Sequence, residues 1–97
     1  MKLTRKKWEA MTNPIDMLAF GAAKNFKVAL AFMEARLKAR RSEPVTGYRT
    51  HLGWAALDLW HAKQEVNVVH LRNAQERLIK AYPDERQVQL RLLRRMW

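Results

Sequence analysis

Apolar residues recur along this chain at the three- and four-residue spacing of amphipathic α-helices. A first pattern covers about 14–41 and begins at Asn13 and Pro14, where an asparagine side chain can cap free N–H groups and proline fits the first helical turn. A second pattern covers about 48–82, and Pro83 separates it from a short C-terminal segment. We therefore expect an all-α fold, with a helical hairpin of two long helices and a short C-terminal helix.

The first predicted helix has an apolar arc too wide for one neighbouring helix to bury. Asn25 lies near the middle of this arc, where an unpaired amide is costly, so it either pairs across an interface or faces water. We expect oligomerisation or a partner to complete the bundle. The candidate interface residues are Phe20, Asn25, Phe26, Ala29, Phe32 and Trp54.

The second predicted helix changes its apolar face near residues 66–69, a β-branched stretch that includes Asn67. One straight helix cannot bury both faces against one neighbour. Either the helix bends or breaks there, or its two halves pack on different neighbours. Trp60 lies towards the apolar stripe of the first half and is expected in the core.

Charge adds a strong constraint, because 19 Lys and Arg against 9 Asp and Glu give a net charge of +10 on 97 residues. The length allows a single helical domain, 1–97, with a basic N-terminal arm at 1–13 and a loop at Ser42, Pro44 and Gly47. A chain this basic attracts polyanions, so nucleic acid is the leading partner. The absence of Cys excludes disulfides and thiolate metal sites.

The basic residues form three clusters, and arginine dominates the later two. Arginine suits bidentate phosphate contact, and Trp8 and Trp97 beside basic residues could stack on bases. The alternative is that the clusters are solvated helix ends. The candidate nucleic-acid-binding residues are Lys6, Lys7, Arg36, Lys38, Arg40, Arg41, Arg91, Arg94 and Arg95.

Catalytic chemistry has one weak candidate, the row of Asp58, His61 and Glu65 on one helical face. Three ligands on one helix rarely complete a metal site, and exposed helical pairs of this spacing are common. His70 is expected on a different face from His61. We therefore expect no enzyme activity, no metal and no cofactor.

Three functional classes remain. We expect a small non-enzymatic protein that binds nucleic acid through phosphates with weak sequence preference, as an accessory protein of the kind found in viruses or plasmids. The alternatives are an assembly subunit of a virus particle or other large complex, and an amphipathic membrane-surface protein. Because Asp16, Lys24, Asn25 and Lys27 interrupt the apolar stretch at 15–33, we expect no transmembrane segment. The absence of Cys fits a reducing compartment, so we expect a location in the cytoplasm or a viral particle.

Overall fold

The computed structural model describes residues 4–41 and 49–96, with side chains from residue 51 in the second range. The described residues are helical and include no strand, which confirms the all-α prediction. The loop predicted at Ser42, Pro44 and Gly47 lies outside them, as does Trp97. The helices are α1 (Arg5–Ala10), α2 (Pro14–Lys24), α3 (Phe26–Arg41), α4 (Arg49–Glu65), α5 (Val68–Ala81) and α6 (Glu85–Arg94).

The prediction of one helix over 14–41 was wrong, because Asn25 divides it into α2 and α3. Asn25 has an extended backbone, with φ −154° and ψ 95°. Its N–H donates to the Gly21 carbonyl at 2.8 Å and closes α2, while its Oδ1 accepts from the Val28 N–H at 3.3 Å and opens α3. An asparagine side chain can satisfy an N–H group that a new helix leaves free, so the break costs few hydrogen bonds. Asn25 is consequently exposed rather than central to an apolar face.

The structure places a break between α4 and α5, which is one of the alternatives that the change of apolar face at residues 66–69 left open. Val66 has a positive φ of 51°. The Asn67 Oδ1 then accepts from the Val69 N–H at 2.8 Å and caps α5. The two helices fold back on each other, so the two apolar faces predicted for one long helix belong to two packed helices.

The residues predicted to form a basic arm contain α1, whose start is capped by the Thr4 side chain. Trp8 is only 3% exposed, and its indole N–H donates to the Leu93 carbonyl at 3.1 Å. Burial removes this indole from the surface, where base stacking was considered. Instead, Trp8 attaches α1 to the end of α6.

The hydrophobic core receives side chains from all six helices. Trp60 is not among them: it is 57% exposed, so its predicted core position was wrong. The residues of α4 that are buried in the core are Ala55, Leu59 and Ala62. The largest fully buried apolar side chains elsewhere are Met17, Leu18, Met33, Leu71, Leu78 and Leu93.

Candidate functional site

Two of the candidate phosphate-binding arginines, Arg36 and Arg40, lie one helical turn apart on α3 and point towards the start of α6. Both donate to Glu85, which is completely buried. Arg36 donates through Nε at 2.9 Å and Nη2 at 2.6 Å, and Arg40 donates through Nε at 2.8 Å. Arg40 also donates to Asp84 Oδ2 at 2.7 Å. These two guanidiniums therefore have intramolecular partners.

The buried carboxylate continues into a wider hydrogen-bonded network. Gln89 Nε2 donates to Glu85 Oε2 at 2.9 Å, and Gln75 Nε2 donates to Gln89 Oε1 at 2.9 Å. Gln75 Nε2 also donates to the Pro14 carbonyl at 2.7 Å, and the Tyr82 hydroxyl donates to the Arg40 carbonyl at 3.1 Å. Charged and polar groups from α2, α3, α5 and α6 are thus joined inside the fold, with the Gln75 Oε1 left without a hydrogen-bond partner, which indicates a structural role.

The ionisation of Glu85 follows from two opposed effects. Burial acts to raise its pKa, but the hydrogen bonds from Arg36, Arg40 and Gln89 outweigh burial and hold the pKa below its ordinary value. The hydrogen bond from Arg40 likewise lowers the pKa of the exposed Asp84. Both carboxyls are therefore ionised at neutral pH.

The charged side chains on the outer face of α6 are all basic. Glu85, Gln89 and Leu93 recur every four residues and are buried, so they define the inner face of the helix. Glu85 is the one acidic residue of α6, and its carboxylate is buried in the hydrogen-bonded network. The exposed side chains include Arg86, Arg91, Arg94 and Arg95, the last being the C-cap residue.

The fold brings the N-terminal and C-terminal basic clusters together. Trp8 of α1 contacts Leu93, and Arg94 Nη2 donates to the Met11 carbonyl at 3.4 Å. Lys6 is exposed, and Lys7 Nζ lies 5.1 Å from the centroid of the Phe20 ring. We refer to the following residues as the α1–α6 basic surface: Lys6, Lys7, Arg91, Arg94 and Arg95.

The two other candidates, Lys38 and Arg41, are exposed near the end of α3. They line an open groove between α3 and α4, together with Lys63 from α4. The N-terminal and C-terminal basic clusters therefore contribute to one surface. The cluster at the end of α3 is divided: two of its arginines join the buried network, and Lys38 and Arg41 line this groove.

The candidate interface residues are also dispersed. Ala29 is 2% exposed within the chain, so its methyl group already packs in the core. Phe20, Phe26 and Phe32 are half-buried against the core. Trp54 is 51% exposed, with the Arg77 guanidinium 5.6 Å from its ring centroid.

The break between α4 and α5 produces one juxtaposition that the helical spacing did not predict. His61 and His70 were expected on different faces, yet their rings stack with centroids 5.2 Å apart. His70 Nδ1 lies 3.2 Å from Asp58 Oδ1, and His61 Nδ1 lies 3.2 Å from Glu65 Oε2. Among the described residues, no group of three or more His, Asp or Glu side chains has an arrangement that could hold a metal ion.

No protein-family model, curated protein or solved structure matches the chain. Within residues 4–41 and 49–96, no helix combines the length and apolar character needed to cross a membrane.

Proposed function

We propose that this protein binds nucleic acid through its phosphates, without catalysis, and that the α1–α6 basic surface makes the principal contacts. The observation that carries the proposal is the convergence of α1 and the outer face of α6, whose charged side chains are all basic. No carboxylate of the described residues lies within ion-pair distance of Arg91, Arg94 or Arg95. Within the part of the chain that the structure describes, no carboxylate neutralises these three guanidiniums, which favours contact with an external anion.

Phosphate chemistry explains why nucleic acid suits this surface. Duplex DNA carries one negative charge per about 1.7 Å of its axis, so adjacent arginines can each meet a phosphate. Arginine donates two parallel hydrogen bonds to such a group. Phosphate contacts carry no sequence information directly, so we expect weak sequence preference. Arg36 and Arg40 support the proposal only indirectly. Their ion pairs with Glu85 join α3 to the start of α6 and keep this carboxylate buried, so it does not offset the positive charge on the outer face of α6.

The test compares two triple variants that each remove three positive charges. Replacing Arg91, Arg94 and Arg95 with Gln should reduce the slope of log affinity against log salt concentration by about 2.7, because each lost duplex phosphate contact contributes about 0.9. The matched control replaces three basic residues of α5, and it should change the slope much less. An equal effect of both triples would show that net charge, not this surface, governs binding. The control substitutions are Arg72→Gln, Arg77→Gln and Lys80→Gln.

A role as an assembly subunit is the second candidate, and the exposed apolar side chains of α4 favour it. Trp54 and Leu57 are 51% and 44% exposed and lie three residues apart on one side of the helix. Exposed apolar patches mark interaction sites when they are contiguous. Light scattering at tens of micromolar would support this candidate if the protein forms a stable oligomer that Trp54→Ala dissociates.

A further inference from the structure

An open groove lies between α3 and α4, with a volume of about 440 Å³. Its floor contains the buried side chains of Leu37 and Leu59. Trp60 lines it from α4 while remaining 57% exposed, so a large part of the indole is open to solvent. Ligand pockets commonly occupy roughly 300–1,000 Å³, so the groove has room for a small flat group beside this ring.

The groove is also positively charged. Lys38 and Arg41 line it from α3, and Lys63 lines it from α4, one turn beyond Trp60. Glu34 is the one acidic residue among the groove residues. No carboxylate of the described residues makes an ion pair with Lys38, Arg41 or Lys63. The groove therefore combines an exposed aromatic ring with three cations that form no ion pair within residues 4–41 and 49–96.

We propose that this groove binds single-stranded nucleic acid, with a base stacked on Trp60 and the neighbouring phosphates on Lys38, Arg41 and Lys63. Proteins that bind single strands combine aromatic side chains with a basic groove in this way. A duplex keeps its bases stacked inside and cannot present one to the indole. The proposal rests on the proposed function for the nature of the ligand, but it concerns a site separate from the α1–α6 basic surface.

Charge complementarity favours a polynucleotide over an acidic helix from a protein partner. A strand supplies one phosphate per nucleotide, which matches several cations around one aromatic ring. A helix docking in a groove needs a row of apolar anchor sites at helical spacing. Here the apolar floor is short, because Glu34 and Lys38 flank Leu37 on α3 and Lys63 follows Trp60 on α4.

The test measures how much the bases contribute to binding. A labelled eight-nucleotide thymidine oligomer and an abasic oligomer of equal length carry the same phosphates, so their affinity ratio isolates base contact. Stacking of one base should make the thymidine oligomer about 5- to 150-fold tighter at fixed salt. Trp60→Ala should bring this ratio close to one. Trp54→Ala, which removes a similarly exposed indole outside the groove, should leave the ratio unchanged.

Two further measurements separate the groove from the proposed function. Duplex binding should be unaffected by Trp60→Ala, whereas Lys63→Gln should weaken both oligomers. If the protein binds duplex DNA but Trp60→Ala leaves the thymidine-to-abasic ratio unchanged, the groove proposal fails while the proposed function stands. If neither duplex nor single strand binds at low salt, both fail. Tighter binding of an acidic peptide than of the oligomer, abolished by Trp60→Ala, would also overturn the groove proposal.

Discussion

Replacing Glu85 with Gln would remove the one fully buried carboxylate among the described residues while preserving the size of the side chain. Glu85 accepts hydrogen bonds from Arg36 at 2.9 and 2.6 Å, from Arg40 at 2.8 Å and from Gln89 at 2.9 Å. The amide would leave two guanidiniums beside a neutral group, and the Arg40 side chain is only 7% exposed. Asp84 would still pair with Arg40, but it forms no ion pair with Arg36 that could replace the one with Glu85.

The expected cost is large because a buried charge loses its partner. Removing one member of a buried ion pair typically lowers the free energy of unfolding by about 3–5 kcal/mol. That is a substantial share of the roughly 5–15 kcal/mol that stabilises a typical domain. Urea unfolding at pH 7 measures the change, and Glu9→Gln provides the matched control. Glu9 pairs with Arg5 at 2.9 Å on the surface, so its loss should cost less than about 1 kcal/mol.

The same network predicts a pH dependence. The pKa of Glu85 is lower in the folded protein than its ordinary value of 4.5, and that of Asp84 is likewise lowered. The stabilisation is therefore complete above the unfolded pKa and is lost as the pH falls through the folded pKa. The unfolding free energy of the unmodified protein should decrease below about pH 4.5, and Glu85→Gln should flatten this decrease. A loss at pH 7 no larger than that of Glu9→Gln would refute the account of the network.

Two other substitutions test how the chain breaks and packs. Trp8→Ala should lower the free energy of unfolding by about 3–5 kcal/mol, because it removes a buried ring and its hydrogen bond to the Leu93 carbonyl. Urea unfolding measures this change, and a loss below about 1 kcal/mol would contradict the packing of α1 against the rest of the fold. Val66→Gly should raise the thermal unfolding midpoint, since the positive φ of 51° costs a β-branched residue about 1–2 kcal/mol. Val69→Gly should lower the midpoint, because glycine is less favourable than valine in the helical backbone of α5. Equal effects at both positions would refute a strained Val66.

Local sequence signals predicted the helical class and several boundaries. Asn13 and Pro14 begin α2 as expected, and the chain breaks within residues 66–69, which was one of the alternatives predicted there. The break at Asn25 was missed, because an apolar pattern that continues across a single residue does not distinguish one helix from two in sequence. The capping ability of the asparagine side chain was the available signal, but the two alternatives considered for Asn25 were an interface contact and a position facing water or the surface.

The burial and the partners of the charged and aromatic side chains depend on contacts between residues that lie far apart in the sequence. Arg36 and Glu85 are 49 residues apart, and no local pattern pairs them. The spacing of Glu85 and Gln89 on one side of α6 was a usable signal for a polar inner face. Trp60 was misplaced because α4 has a weakly amphipathic sequence, in which Ala55, Leu59 and Ala62 rather than the large ring supply the buried face.

The most direct test of the central claim is the salt dependence of binding to two duplexes of unrelated sequence. If the α1–α6 basic surface neutralises phosphates, log affinity should fall linearly with log salt concentration, with a slope of about −0.9 for each phosphate contacted. The two duplexes should give nearly the same slope and affinity, since phosphate contacts do not read sequence. An affinity that does not change with salt, or no binding to either duplex at low salt, would contradict the claim.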